Sequence, residues 1–335
     1  MADLTLRRAA LDGSRFSQLQ HGVLLARTAP AVFRVTGPGA LTCLQGLLTN
    51  DLDKPGEGAV VYGALLTPKG MIVVDLWVHR ASAGFLLVAD AHAREPVRQL
   101  FARGLPPRLA KVEDCTGTLE ACWLYGDLAI AALAAAHLPV PDAEGHGTLT
   151  GAGGDALALL RPTPGAPFRA LLVGANATLD VAEAALERAG ALRGGAAEQE
   201  AARVLTGWPL LGAEIQDKTL PQEVRYDEIG GVSYTKGCYT GQETVARLHF
   251  RGHANRELRG LVWEGTPMLE DDLVRGVDGK EVGRVSSVLD LDAMSLGLAV
   301  IRREVTPGAT ITAGNRAARV VALPFDLSRL SQAAG

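Results

Sequence analysis

Apolar positions along the chain follow a helical period in some segments and a strand period in others. Between residues 40 and 48, apolar side chains recur every three or four positions. This spacing predicts a helix with one buried face that stops at Thr49. Residues 60–66, 71–79 and 85–89 are short apolar runs separated by turn-forming residues, and such runs predict an antiparallel meander.

A second cycle of elements follows in the middle of the chain. Strand patterns occupy residues 119–125, 156–160 and 168–173, and helical patterns occupy residues 128–137, 179–188 and 198–205. Because hairpins accompany the helices, the order favours an α+β fold over a doubly wound parallel sheet. After about Arg256 only short strands broken by Gly, Pro and Asp remain, which is typical of a small β-barrel or sandwich.

Composition narrows the classes of protein that fit this pattern. A length of 335 residues corresponds to two or three domains, and the net charge of −4 argues against a uniformly basic surface for nucleic acid. The four cysteines contain no C-x-x-C pair, so we expect no metal cage built from this chain alone. The N-terminus has no apolar stretch typical of a signal peptide, and no apolar run reaches 18 residues. We therefore expect a cytoplasmic protein.

The most informative chemistry lies around Cys238. Thr240 and Glu243 have the spacing of a capping box, which predicts a helix that begins at Gly241. A helix N-terminus just after the cysteine would favour a negative charge on its thiol, and Lys236 and Arg247 would add to that effect. A reactive thiol is one interpretation of Cys238. A structural cysteine in a glycine-rich turn is the other.

Basic residues crowd the thirteen positions from Arg247 to Arg259. The cluster contains four arginines and two histidines, with Glu257 as its one acidic residue. Such a cluster suits carboxylate or phosphate groups, and a solvated face or an interdomain contact explains it equally well. It is short and poor in aromatic residues, so we expect no direct contact with nucleic acid.

A second candidate site lies in the strand at residues 71–79. Period-two alternation puts Asp75 on the same face as Val73 and Trp77, with Val74 and Leu76 on the other face. A carboxyl flanked by apolar neighbours has a raised pKa when it is desolvated, which marks Asp75 as a candidate for ligand binding or proton transfer. An exposed acid on an edge strand is the plainer alternative.

Three segments of the sequence resemble a known family. Residues 236–243, KGCYTGQE, resemble the signature of the folate-binding YgfZ family, which belongs to the superfamily of the glycine-cleavage T-protein, an aminomethyltransferase. Residues 44–51, LQGLLTND, resemble its N-terminal element, and residues 203–209 resemble its R-x-E-A-G-x-P element. The octapeptide is highly specific and the other two segments support it. The likeness runs from about residue 30 to the C-terminus.

The resemblance implies an architecture and a set of site residues. It implies a three-domain ring around a central folate site, with two α+β, ferredoxin-like domains at residues 1–118 and 119–250 and a small β-barrel at residues 251–330; we leave open whether the first two interleave. It also implies catalytic roles for Cys238, Lys236 and Asp75. The folate-contacting residues it implies are Tyr62, Asp75, Lys236, Gln242, Glu243 and Arg251.

Two positions depart from the pattern of the folate-dependent relatives. Where those relatives usually carry two adjacent acids, this chain has Val74 before Asp75. Where they carry a glutamate that accepts hydrogen bonds from the pterin, this chain has Leu205. Loss of a charge-assisted pair costs about 1.5–3 kcal/mol, so we expect weak or altered binding of tetrahydrofolate.

Three functional hypotheses follow. The first is a folate-binding accessory protein that assists the synthesis or repair of iron–sulfur enzymes, including tRNA-modifying ones, through a reactive Cys238. The second is a tetrahydrofolate-dependent aminomethyltransferase or demethylase that uses Asp75. The third is a non-enzymatic module that docks an acidic partner through its basic cluster. The expected partners are folate and iron–sulfur client proteins, without a direct membrane contact. The cysteine of the octapeptide favours the first hypothesis over the second.

Overall fold

A computed structural model describes residues 6–151 and 153–328 of the chain. The helices are α1 (Gly13–His21), α2 (Ala40–Gln45), α3 (Arg94–Gly104), α4 (Ala129–Ala135), α5 (Asn176–Arg188), α6 (Ala196–Thr206) and α7 (Gln242–Arg251). Short 3-10 turns lie at Ala91–Ala93, Gly153–Asp155 and Pro221–Val224.

In the part of the chain that the structure describes, eighteen strands accompany these helices. They are β1 (Arg7–Ala10), β2 (Leu24–Thr28), β3 (Ala31–Thr36), β4 (Val60–Leu66), β5 (Ile72–Ala81), β6 (Gly84–Ala89), β7 (Lys111–Asp114), β8 (Glu120–Tyr125), β9 (His146–Thr150), β10 (Leu157–Arg161), β11 (Ala170–Gly174), β12 (Leu192–Arg193), β13 (Arg256–Glu264), β14 (Leu273–Arg275), β15 (Glu281–Asp290), β16 (Met294–Arg302), β17 (Thr310–Ala313) and β18 (Arg316–Val321).

The first sheet contains the predicted meander. Its strand order is β4-β5-β6-β3-β7, with antiparallel neighbours throughout. One face packs against α2 and α3, where Phe101 and Leu44 join the apolar side chains of the strands. Strand β4 shows the alternation clearly, because Val61 and Leu65 belong to this helical side whereas Tyr62 and Ala64 face the middle of the molecule.

The second sheet has the order β12-β2-β8-β11-β10-β9. Helices α4 and α5 cover one face, and Leu133 and Leu186 pack there with the apolar residues of β8, β10 and β11. The opposite face joins the inner face of the first sheet and helix α6 in one shared core. That central core, rather than either helical side, is where the aromatic residues collect.

The C-terminal strands form a closed barrel, as the sequence predicts. The order is β15-β14-β17-β18-β13-β16, and β16 pairs back onto β15 to close it. Trp263 is fully buried inside the barrel together with apolar residues of β15 to β18. The mixed α+β content and the barrel confirm the predicted fold class.

The two N-terminal strands pair with strands from later parts of the chain. Strand β1 lies parallel to β15 beside the barrel, and β2 pairs with β8 in the second sheet. The first part of the chain thus contributes to all three sheets. The domain boundaries near residues 118 and 250 stay predictions, and residues 1–5 and 329–330 of the expected spans lie outside the described residues. Within the described ranges, no helix is long and apolar enough to cross a membrane.

Two local expectations are wrong. Helix α2 ends at Gln45 instead of continuing to residue 48, because the chain turns at Gly46. The alternation in β5 is broken by a bulge, since Leu65 pairs with Val74 but Leu66 pairs with Ile72. The bulge turns Ile72 into the central core, while the expected alternation holds from Val74 onward.

Candidate functional site

A cavity of about 370 Å³ opens between the inner faces of the two sheets and helix α6. Six aromatic side chains line it, namely Tyr62, Trp77, Trp123, Tyr125, Phe168 and Trp208. The rings of Trp77 and Trp208 are stacked with centroids 5.6 Å apart, and Trp123 meets Phe168 edge-on at 4.7 Å. A wall of this kind suits a flat, largely apolar ligand.

A hydrogen-bonded chain of polar groups lies at one side of this central cavity. The hydroxyl of Tyr62 donates to Asp75 Oδ2 at 2.7 Å and lies 3.1 Å from the hydroxyl of Tyr226. Burial raises the pKa of Asp75 to about 6, although the hydrogen bond from Tyr62 opposes the shift. Burial also raises the pKa of Tyr62 well above its ordinary value. Asp75 is therefore an acid whose charge a cationic ligand would stabilise.

Replacement of Asp75 by Asn tests this assignment through the pH dependence of stability. Because the pKa is raised in the folded state, the native protein binds the proton more tightly between pH 3.8 and about 6. The carboxylate therefore destabilises the fold above that window and not below it. When the pH rises from about 4 to above 7, the free energy of unfolding of Asp75→Asn should increase by about 3 kcal/mol relative to that of wild type. Urea unfolding at both pH values measures this difference.

The exposed Asp217→Asn serves as the matched control. The difference in free energy of unfolding between Asp217→Asn and wild type should stay the same across this pH range. An equal effect of Asp75→Asn at both pH values would show that the Asp75 carboxyl titrates normally.

Helix α6 brings a buried ionic network to the cavity wall. Arg203 Nη1 donates to Glu214 Oε2 at 2.7 Å, and Arg203 also pairs with Glu200. Ser286 and Ser287 of the barrel donate to Glu214 at 2.6 and 2.7 Å. Burial raises the pKa of Glu200, but Arg203 and Arg7 more than offset this and hold that pKa below its ordinary value. The arginine of the R-x-E-A-G-like segment thus joins α6 to the barrel.

Leu205 has a different environment from the one the resemblance implies. It packs against the central core and accepts a hydrogen bond from Phe325 at its carbonyl, but it is not among the described residues that line the cavity. Gln199 and Glu200, one to two turns earlier on α6, line the cavity instead. Arg203 of the motif also lines the cavity, so the polar groups on this wall come both from the motif and from the preceding part of the helix.

Lys236 of the octapeptide binds backbone carbonyls. Its buried ammonium donates to Gln45 O at 2.9 Å, Leu48 O at 2.6 Å and Asn50 O at 2.9 Å. These three oxygens are here called the carbonyl cage. They accept no hydrogen bond within a helix, because α2 ends at Gln45. Burial lowers the pKa of Lys236 to about 8, against the opposing effect of Asp51. The three hydrogen bonds of the ammonium all go to this cage, and the support of Cys238 by Lys236 stays a prediction.

The two family-like segments are therefore in direct contact. Asn50 Nδ2 donates to Tyr62 O at 2.8 Å and to Gly230 O at 2.7 Å. Thr49 Oγ1 donates to Gly231 O at 2.6 Å. The segment at residues 44–51 thus connects the octapeptide region to the strand that carries Tyr62.

Gly241 begins α7 in a way that the sequence did not indicate. Its φ is +83°, and a Cβ there would lie 2.6 Å from Thr67 O in the β4–β5 turn. No side chain caps the helix, so the capping box expected between Thr240 and Glu243 is wrong. The glycine serves the close approach of two backbones.

The remaining predicted site residues lie away from the cavity wall. Cys238 is exposed, whereas Cys115 and Cys122 are buried. Gln242, Glu243 and Arg251 are on α7 and do not line the cavity. Of the predicted residues, the structure brings together only Tyr62 and Asp75. Across the described residues, no group of three or more His, Cys, Asp or Glu side chains is arranged to hold a metal ion.

Sequence reasoning missed several residues of the cavity. Trp208 lines the cavity from the irregular stretch between α6 and α7, and Phe168 lines it from just before β11. Tyr226, from the same irregular stretch, does not line the cavity but contacts the hydroxyl of Tyr62. Their only sequence signal is that large aromatics are rare in this chain, at 5% of residues, yet occur in segments without a clear period. Aromatic residues in such irregular segments are therefore candidates for the wall of a cavity.

Comparison with known proteins identifies the fold and the family. A family model described as the GCVT N-terminal domain matches residues 23–142. The structure of glycine cleavage system aminomethyltransferase T from Bartonella henselae superposes with a TM-score of 0.80 at 20% identity, covering 93% of this chain and 88% of that one. The molecule therefore has the aminomethyltransferase T fold.

Curated sequences define the family more narrowly. The tRNA-modifying protein YgfZ of an Enterobacter species is 30% identical over 267 residues, covering 78% of this chain and 79% of that protein. The protein of the same name from Cronobacter sakazakii is 28% identical over 274 residues, with the same coverage. The chain belongs to the YgfZ family.

Proposed function

We propose that this protein binds a folate in the central cavity and assists the synthesis or repair of iron–sulfur enzymes, including tRNA-modifying ones. The observation that carries the first part is the cavity itself, which presents the stacked rings of Trp77 and Trp208 with the Tyr62–Asp75 pair beside them. A pterin ring is flat and carries several hydrogen-bonding groups, so it matches both features. The relatives named tRNA-modifying protein support the second part.

The position of Cys238 supports an accessory role. The thiol is exposed in the loop before α7 and is not part of the cavity wall. An exposed thiol is accessible to a client protein, either as a ligand or as a nucleophile. The carbonyl cage fixes the same loop on the segment that contacts Tyr62, so the two sites share a rigid support.

One-carbon transfer is the second candidate function. It is favoured by one observation, the desolvated Asp75 carboxyl that faces the cavity with a pKa of about 6. Such a group would accept a proton from an amine or orient it next to the folate. Turnover of a methylamine donor that is lost in Asp75→Ala would support this function. The exposed Cys238 has no part in it.

Folate binding is measurable as a thermal shift. We expect tetrahydrofolate to raise the Tm of the wild-type protein, because a ligand that binds only the native state stabilises it by mass action. Trp123→Leu should bind about tenfold more weakly, since it removes a partly exposed aromatic ring from the wall while keeping an apolar side chain. Titration calorimetry of both proteins gives the two dissociation constants.

Phe250→Leu is the matched control, because it removes an exposed ring outside the cavity. Its dissociation constant should equal that of wild type. Absence of any shift with wild type, or equal affinity in Trp123→Leu, would place folate elsewhere or nowhere. A gain in affinity in Leu205→Glu would contradict the placement of folate in this cavity, because Leu205 is not among the described residues that line it.

A further inference from the structure

The fold adds aromatic residues to the basic cluster at α7. Tyr234, from the loop before the octapeptide, stacks on His249 with ring centroids 3.6 Å apart and an angle of 17°. Phe250 meets His249 edge-on at 4.8 Å, and 66% of Phe250 is exposed. An aromatic residue exposed to this extent, beside a ring stack, offers a surface on which a further flat group can lie.

Asp227 holds this ring cluster in place. One carboxylate oxygen accepts a hydrogen bond from the hydroxyl of Tyr234, and the other lies 3.1 Å from His249 Nδ1. Both oxygens of the acid are therefore engaged within the protein. The rings are ordered before any partner arrives, which reduces the entropy cost of binding.

Two arginines lie on the same helix as His249 and Phe250, and the helical period places both of them nearer to Phe250 than to His249. Arg247 and Arg251 are exposed, and neither has an acidic partner in the part of the chain that the structure describes. They are one helical turn apart, which corresponds to a rise of about 6 Å. Arginine binds phosphate oxygens in a bidentate manner, so the pair suits two neighbouring phosphates.

We propose that this ring–arginine patch, formed by Tyr234, His249, Phe250, Arg247 and Arg251, binds single-stranded RNA. Phosphates would pair with the two arginines, and a base would stack on the exposed ring of Phe250. An acidic protein would use the arginines but has no equivalent need for the ordered rings. The proposal departs from the sequence-based expectation because Tyr234 reaches the patch only in the folded chain. It does not depend on folate binding in the central cavity.

Fluorescence anisotropy with a short labelled oligouridine RNA tests the proposal. We expect the wild-type protein to bind at about 50 mM salt and to bind more weakly at about 200 mM. Phe250→Ala should weaken binding about tenfold through loss of base stacking. Arg247→Gln and Arg251→Gln should each weaken binding and lower the slope of log affinity against log salt by about 0.7.

The controls are exposed residues of the same kinds elsewhere. Val181→Ala on α5 and Arg103→Gln on α3 should bind RNA as wild type does. Asp75→Asn should also leave RNA binding unchanged, which separates the patch from the cavity. The proposal is overturned if wild-type protein does not bind at low salt. It is also overturned if Phe250→Ala binds like wild type. Binding would then depend on the arginines alone, as expected for a surface that docks an acidic protein.

Discussion

Lys236→Met is expected to lower the free energy of unfolding by about 3 kcal/mol. The ammonium makes three hydrogen bonds to the carbonyl cage, and each one to a charged group contributes about 1.5–3 kcal/mol. The cost of burying the charge, seen in the pKa lowered to about 8, offsets part of that contribution. Methionine fills similar space but leaves the carbonyls without a donor. Urea unfolding near neutral pH measures the difference.

Lys69→Met is the control for this substitution. Lys69 is exposed in the β4–β5 turn, so its replacement should change the free energy of unfolding by less than about 0.5 kcal/mol. If Lys236→Met is as stable as wild type, the carbonyl cage does not hold the octapeptide to the segment at residues 44–51. The predicted catalytic role of Lys236 would then be the interpretation that remains.

The sequence predicts the architecture well where elements are periodic. Helix α6, the meander of the first sheet and the C-terminal barrel follow from apolar spacing and turn residues, because each buries one regular face. The bulge in β5 does not follow from spacing, since it depends on how Leu66 pairs across the sheet. One extra residue there turned Ile72 to the opposite face.

The sequence identifies the motif segments, but it does not show which contacts their residues make. Residues 44–51 and 236–243 stand out as motifs, but only the fold shows that Lys236 binds carbonyls of the first motif. Gly241 is likewise required by a backbone contact with Thr67 that lies far away in sequence. Such tertiary contacts override local signals such as the apparent capping box.

The cavity could be predicted only in part. The pairing of the strands that carry Tyr62 and Asp75 follows from the predicted meander, but their register depends on the bulge. Trp208 and Tyr226 come from a segment with little regular structure, and the path of such a segment is set by long-range packing. The ring–arginine patch is missed for the same reason, because Tyr234 precedes His249 by a loop and most of a helix.

Cys238→Ala tests the central claim of the account, that an exposed thiol of this YgfZ-family protein serves iron–sulfur enzymes. The substitution should abolish function while leaving the fold intact, because the side chain is exposed. Cys43→Ala, a half-buried cysteine on α2, is the matched control. Both variants should show the tetrahydrofolate shift of the wild-type protein, because neither residue lines the cavity.

The most direct measurement is the activity of an iron–sulfur enzyme in a bacterial strain that lacks its own YgfZ protein and carries one of these variants. The account predicts that wild type and Cys43→Ala restore the activity and that Cys238→Ala, present at the same level, does not. Restoration by Cys238→Ala to the wild-type level would contradict it.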